Sequence, residues 1–192
     1  MDDTRVLYTA FIALIAAGRL FELRVAKRNL RDLLTRGGVE VAPEHYRWMV
    51  LLHTLFLVAC PLEVWLLDRP FLPWLGIPML LLAVLAAGLR LWVIRTLEGR
   101  WTTRIVVLPR VTPVTGGPYR FLRHPNYLAV ITEIFALPLI HSAWLTAAVF
   151  SLLNAWLLRV RIRAEEEGLS RLSDYDAVFA DRPRLLPGGG GR

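Results

Sequence analysis

The chain of 192 residues is 55% hydrophobic and only 20% charged, and its mean hydropathy is +0.45. This composition is too apolar for a single water-soluble domain. The net charge of +7, from 22 Arg and one Lys against 16 acidic residues, is typical of a protein that meets either nucleic acid or an anionic membrane face. The single cysteine, Cys60, excludes an intramolecular disulfide and a cysteine-based zinc site.

Three apolar runs in the first half of the chain are long enough to cross a bilayer, whose hydrocarbon core takes about 20 helical residues. They cover residues 6–23, 48–67 and 71–97. The stretch between the first two, residues 24–47, carries six Arg and Lys residues around a Gly-Gly break and predicts a basic cytoplasmic loop with a short surface helix. Residues 1–97 are therefore predicted to form an N-terminal region of three transmembrane helices.

The second half, residues 98–192, begins with a polar segment rich in Pro and Gly and continues with an apolar block at residues 127–158. Pro138 and the pair His141-Ser142 divide this block into two arms, each short for a full span of about 20 residues. We predict an antiparallel membrane hairpin followed by a cytosolic C-terminal helix. The hairpin brings the number of predicted membrane segments to five.

The basic residues test this topology, because they should gather on one side of correctly placed spans. Residues 24–47 hold six of them, residues 95–123 hold six and residues 159–192 hold seven, and the five-span topology puts all three segments on one side. The sequence thus predicts an all-α polytopic membrane protein, and its charge is explained without nucleic acid. The preference for Arg over Lys suggests a bacterial genome, which predicts a bacterial inner membrane with these segments facing the cytoplasm.

Two polar motifs flank the predicted hairpin: GPYRFLRHPNY at residues 117–127 and RIRAEEEGL at residues 161–169. The hairpin returns the chain to the same membrane face, so the motifs can enclose a pocket there. Around the second motif, helical spacing aligns Arg159, Arg163 and Glu166 or Glu167 along one stripe. Two Tyr, a His and two Arg converge in the first motif between prolines that fix the backbone. Such a stretch suits an anionic cofactor that contains rings.

These two motifs resemble those of the isoprenylcysteine carboxyl methyltransferase family and of related membrane phospholipid methyltransferases. The likeness covers roughly residues 90–187 and favours the bacterial branch of the family. It implies S-adenosylmethionine in a cytosol-facing pocket and a lipophilic small-molecule acceptor that enters from the membrane lipids. No G-x-G-x-x-G follows a predicted strand, which excludes a methyltransferase of the soluble dinucleotide-fold type.

The resemblance also implies a set of site residues. The cofactor-binding positions carried over from the two motifs are Tyr119, His124, Pro125, Asn126, Tyr127, Glu165, Glu166 and Leu169. Arg163 is the predicted residue at the reacting centre, with Arg161 as the alternative two residues away.

The chemistry expected of these residues depends on the acceptor. A carboxylate is already ionised at neutral pH, and the Arg163 guanidinium can hold it through two hydrogen bonds. A phenol has a pKa near 10 and needs a base, for which Glu166 or a tyrosine of the pocket is the candidate. Glu166 is therefore the second predicted catalytic residue. The phenol or enol of a long-chain alkylpyrone or alkylresorcinol is the favoured acceptor, because bacteria do not generally make prenylated C-terminal cysteines.

Glu133 and three histidines are the other polar residues that bear on function. Glu133 lies inside the hairpin, where a carboxylate either lines the acceptor pocket or pairs with Arg90 or Arg95. The histidines outside the first motif, His45, His53 and His141, have no metal-ligand spacing, so the sequence predicts no metal site.

Three other functions stay open on the sequence. Membrane sterol reductases, which use NADPH, also carry an Arg-His-Pro-x-Tyr element, although their chains are usually longer. Methyl transfer to a phospholipid amine is a second alternative, and a small transporter or assembly factor is a third. The sequence makes no prediction of the oligomeric state.

Overall fold

The architecture is a bundle of membrane helices joined to a small two-stranded ribbon. A computed structural model describes residues 2–185, so residues 186–192 of the predicted C-terminal region lie outside the described residues. In chain order the elements are α1 (Asp2–Thr35), β1 (Val39–Val41), α2 (His45–Leu66), α3 (Pro73–Leu97), β2 (Ile105–Val107), α4 (Pro125–Leu139), α5 (Trp144–Leu172) and α6 (Tyr175–Val178), with 3-10 turns at Glu98–Arg100 and Gly117–Arg120.

Among the described residues, α1, α2, α3 and α5 are long and apolar enough to cross a membrane, and α4 is a shorter apolar helix of 15 residues. Large apolar side chains such as Leu7, Leu66, Trp74 and Leu152 are mostly exposed on their outer faces. Exposure of this kind suits contact with lipid, and helices satisfy their backbone polar groups internally, as the hydrocarbon requires. The predicted all-α polytopic membrane fold is confirmed.

The first helix corrects the predicted loop at residues 24–47. It runs for 34 residues, about 50 Å, to Thr35. The helix continues because Ala26, Asn29 and Leu33 recur at helical spacing and are all buried. Asn29 Nδ2 donates to the Trp101 carbonyl at 2.8 Å, which ties the extension to the second half of the chain.

A glycine pair ends α1 and starts a ribbon that the sequence analysis did not predict. Gly37 adopts a positive φ of 82°, and the Gly38 N–H closes on the Leu33 carbonyl at 2.8 Å, a glycine-dependent helix end. The chain then forms β1, which pairs antiparallel with β2, Val39 opposite Val107. The ribbon therefore joins the basic loop to the segment before the first motif.

Helices α2 and α3 form a hairpin close to the predicted bounds of 48–67 and 71–97. Pro61 lies inside α2 and is accommodated in the helix. A short turn with Asp68 at a positive φ of 49° connects the two helices.

The predicted hairpin at 127–158 is present as α4 and α5, and the turn falls at the predicted break, where Ser142 has a φ of 57°. Glu63 of α2 secures this turn, because its carboxylate accepts the backbone N–H of Thr146 at 2.6 Å and of Leu145 at 3.1 Å. Arg69 pairs with the same carboxylate at 2.8 Å. The first turn of α5 thus receives the acceptors that its own backbone lacks.

Helices α2, α4 and α5 share one apolar core. Phe56 and Cys60 of α2 pack with Ile134 and Leu137 of α4 and with Leu157 of α5, and all five are buried. This core fixes the two arms of the α4–α5 hairpin side by side, so the motifs at the ends away from the turn meet.

We predict that Glu63→Ala destabilises the protein by about 1–3 kcal/mol, because two backbone N–H groups lose their acceptor in a dry environment. Thermal unfolding of the purified protein in one detergent, followed by tryptophan fluorescence, measures the effect. Glu44→Ala is the matched control, since 62% of the Glu44 side chain is exposed. Equal melting temperatures for the two variants would contradict the capping role.

Candidate active site

The centre of the site is a contact between the two arms of the hairpin. Arg161 and Glu165 are one helical turn apart on α5 and face Tyr127 in the first turn of α4. The Tyr127 hydroxyl donates to the Glu165 carboxylate and accepts a hydrogen bond from Arg161 Nε at 2.9 Å. The hydroxyl group of Tyr127 therefore joins the two predicted motifs.

Arg161 also reaches the segment before β2. Its Nη2 donates to the Thr103 carbonyl at 2.6 Å, and the residue is only 6% exposed. The guanidinium is thus held from two sides, and it lines a cavity between the helices.

The structure places Arg163, the residue predicted at the reacting centre, away from the cavity. Residues two apart on a helix point about 200° apart, so Arg161 and Arg163 lie on different faces of α5. Arg163 is exposed and does not line the cavity, whereas Arg161 is buried there. The alternative named on sequence grounds, Arg161, is the arginine that the fold brings to the site.

Glu166 likewise lies beside the cavity and not in its wall. Its carboxylate contacts His124 Nε2 at 3.1 Å and accepts two hydrogen bonds from Arg184, at 2.9 and 2.7 Å. Glu166 therefore contacts the imidazole of His124 and does not line the cavity.

The C-terminal segment completes this arrangement. The backbone N–H of Arg123 donates to the Pro183 carbonyl at 2.9 Å, and that of His124 donates to the Arg184 carbonyl at 3.1 Å. The hydrogen bonds that Arg184 donates to the Glu166 carboxylate raise the pKa of Arg184. Sequence reasoning noted this segment only as part of the resemblance and assigned no role to Arg184, because its partner is distant in the chain.

A cavity of about 480 Å³ extends from these motifs into the membrane part of the bundle. Six of the predicted cofactor-binding residues line it: Tyr119, His124, Asn126, Tyr127, Glu165 and Leu169. Pro125 is buried at the first position of α4, where its fixed φ favours the helix start. Burial and the nearby Glu165 charge raise the pKa of Tyr119, so this hydroxyl stays protonated at neutral pH.

The membrane part of the cavity contains an ionic cluster. Glu133 of α4 pairs with Arg90 of α3 at 2.6 Å and with Arg19 of α1 at 2.6 Å, and Arg19 also pairs with Glu22 at 2.6 Å. Both readings of Glu133 therefore apply, since it is ion-paired and lines the cavity. Arg95 is not a partner of Glu133 within residues 2–185, and the contribution of Arg19 was missed because α1 is distant in sequence.

The lining has the donors and acceptors that a nucleoside-containing cofactor requires. The buried Asn126 Oδ1 has no hydrogen-bond partner within residues 2–185, and an unpaired buried acceptor is costly unless a ligand satisfies it. Tyr119 and Tyr127 present aromatic rings, and Glu165 presents a carboxylate to a positively charged group. In the described part of the chain, no group of three His, Cys, Asp or Glu residues is placed to hold a metal ion.

A known protein family matches the region of the chain that contains both motifs. The family model described as "Isoprenylcysteine carboxyl methyltransferase (ICMT) family" matches residues 79–171. The chain is 38% identical over 168 residues to the uncharacterized protein YpbQ of Bacillus subtilis (strain 168), covering 87% of this chain and 99% of that protein.

Two further relatives are more distant. An uncharacterized protein of Haemophilus influenzae is 29% identical over 163 residues, covering 83% of this chain and 93% of the relative. The nickel-cobalt-cadmium resistance protein NccN of Alcaligenes xylosoxydans xylosoxydans is 28% identical over 119 residues, covering 59% of this chain and 52% of that protein.

We predict that Arg161→Ala destabilises the protein by about 1–3 kcal/mol, because the buried Tyr127 hydroxyl and the Thr103 carbonyl lose the donor that they accept from. Arg163→Ala is the matched control and should stay within about 0.5 kcal/mol of the native protein, as exposed substitutions usually do. Chemical unfolding in detergent measures both. A larger loss for Arg163→Ala than for Arg161→Ala would reverse the assignment of the two arginines.

Proposed function

Since the chain belongs to the isoprenylcysteine carboxyl methyltransferase family and is a membrane methyltransferase, we propose that it uses S-adenosylmethionine to methylate an oxygen of a lipophilic acceptor. The acceptor class is a carboxylate, or the phenol or enol of a long-chain alkylpyrone or alkylresorcinol. The proposed location is a bacterial inner membrane with the motifs facing the cytoplasm, which the gathering of basic residues on one side supports.

The observation that carries the proposal is the lining of the main cavity. It includes the residues of the two motifs and also Leu20 of α1 and Val50 and Val58 of α2. These last three side chains are 58%, 41% and 56% exposed on the surface of the bundle. The cavity is thus walled in part by side chains that a bilayer would contact. A lipid-tailed molecule can reach the polar motifs without leaving the membrane.

The residues around the motif end have distinct tasks in this proposal. Tyr119, His124, Asn126, Glu165 and Leu169 would hold the cofactor. When bound, S-adenosylmethionine supplies a methyl group on a positively charged sulfur. The protein must then align the acceptor oxygen with that methyl group and exclude water, which are the contributions of orientation and desolvation. Arg161, fixed by Tyr127 and Thr103, gives this end of the cavity a rigid positive charge.

The first test is binding of S-adenosylhomocysteine, the expected product, to the purified full-length protein by calorimetry. We expect saturable binding that is at least tenfold weaker for His124→Ala, because this variant removes a lining imidazole and the partner of Glu166. His45→Ala, which replaces a histidine that does not line the cavity, should bind like the native protein. Binding of NADPH in place of S-adenosylhomocysteine would identify a reductase, and binding of neither would reject both activities.

The second test concerns the part of the cavity lining that is exposed on the surface of the bundle. We expect Val50→Trp to raise the KM for a long-chain acceptor several-fold, because the larger ring narrows the acceptor path, while S-adenosylhomocysteine binding stays unchanged. Leu51→Trp is the matched control, since Leu51 is 47% exposed but does not line the cavity. Methyl transfer from radiolabelled cofactor into extracted lipid gives both KM values. Identical KM values would mean that the acceptor enters elsewhere.

A further inference from the structure

His53 has no task in the activity described so far, although its side chain lines the membrane part of the cavity. It lies on α2, one turn beyond Met49, whose side chain packs against the cluster of Tyr127, Leu158 and Ile162. His53 is therefore placed about one helical turn, 5.4 Å along the axis, from the level of the site centre.

The hydrogen bonding of His53 fixes which ring nitrogen carries the proton. Nδ1 lies 2.8 Å from the Met49 carbonyl oxygen. A carbonyl only accepts, so Nδ1 must donate, and in the neutral ring Nε2 is left with a lone pair. Within residues 2–185 this nitrogen has no hydrogen-bond partner. It is also not among the unpartnered polar atoms that are sealed from solvent. An accessible proton acceptor thus stands at the cavity wall.

The other bases of the cavity are already engaged. Glu165 accepts the Tyr127 hydroxyl, and His124 Nε2 is paired with Glu166. Glu133 is held by two arginines, Arg19 and Arg90. Protonation of Glu133 would remove the charge that pairs with two arginines, and Glu165 and His124 Nε2 are each held in a hydrogen bond, whereas His53 Nε2 is not.

The charges that act on the His53 ring favour a neutral acceptor. Arg19, Arg90 and Glu133 are the charged groups that influence it, and Glu22 pairs with Arg19, so two cations face two anions. A carboxylate placed beside His53 would find Arg19 and Arg90 already paired with Glu22 and Glu133. A protonated hydroxyl group brings no charge.

We propose that His53 is the general base of the reaction and that the acceptor is a phenol on a lipid tail, an inference that rests on the proposed function. The acceptor O–H proton passes to His53 Nε2 as the oxygen forms its bond to the methyl carbon. The carbon–sulfur bond breaks, and its electron pair stays on sulfur, which becomes a neutral thioether. The imidazolium then carries the positive charge, close to Glu133, until its proton passes to water.

The test compares His53→Gln with the native protein, using 5-pentadecylresorcinol as the acceptor. Near pH 7 we expect kcat to fall by about 10²- to 10⁴-fold, the usual contribution of a general base. The difference should shrink as the pH approaches 10, the pKa region of a phenol, where the acceptor ionises without help. His45→Gln is the matched control on the same helix and should retain the native profile. S-adenosylhomocysteine should bind to all three proteins alike.

A second measurement does not depend on turnover. Nitrogen-15 NMR of histidine-labelled protein, with the His53 signals assigned by their loss in His53→Gln, should show a neutral ring protonated at Nδ1. A ring protonated at Nε2 would overturn the proposal, because that nitrogen would then have no lone pair to offer.

Other results of these experiments would overturn the role of His53, the acceptor class or the proposed function. A deficit in His53→Gln that is equal at all pH values, or a loss of S-adenosylhomocysteine binding, would indicate a structural role and overturn the assignment. Methylation of palmitate in preference to the resorcinol, or of neither while S-adenosylhomocysteine binds, would overturn both the phenol class and the role of His53 as a base, and would leave the cofactor assignment in place. Absence of S-adenosylhomocysteine binding by the native protein would instead reject the proposed function itself.

Discussion

The hydrogen bonds that join Arg161, Tyr127 and Glu165 are the contact on which the rest of the site depends. They connect the beginning of α4 to the C-terminal part of α5, so polar contacts hold the hairpin together at the end opposite its turn. Arg161 also binds the segment before β2. Because Arg161 and Tyr127 are buried, the loss of one leaves the other unsatisfied.

A second polar junction sets the shape of the cavity deeper in the membrane. Glu133 ties α4 to Arg90 of α3 and to Arg19 of α1, in a region where apolar side chains give helices little reason to choose one neighbour over another. The N-terminal helices, which carry no recognisable motif, therefore supply part of the cavity wall, the arginines that pair with Glu133, and His53. The family motifs hold one end of the cavity, and the rest of the chain determines what can enter it.

The membrane helices and their hairpins were predictable because hydrocarbon admits few structures other than a helix, so span length and hydropathy suffice. The predicted loop at residues 24–47 was wrong in its first half, because charged residues were given more weight than the buried positions Ala26, Asn29 and Leu33. The ribbon of β1 and β2 gave no signal, since each strand has only three residues and depends on a partner more than sixty positions away.

By itself the sequence determined the fold class, the two motifs and most of the motif residues that line the cavity, because short-range spacing and composition govern all of these. Only the tertiary structure placed Arg161 and not Arg163 at the cavity, placed Glu166 against His124 outside the cavity wall, and joined Arg184 to it. It also placed His53, which the sequence analysis considered only as a metal ligand, at the cavity wall. Such choices depend on which helix face meets which neighbour, and packing between distant segments alone sets that rotation.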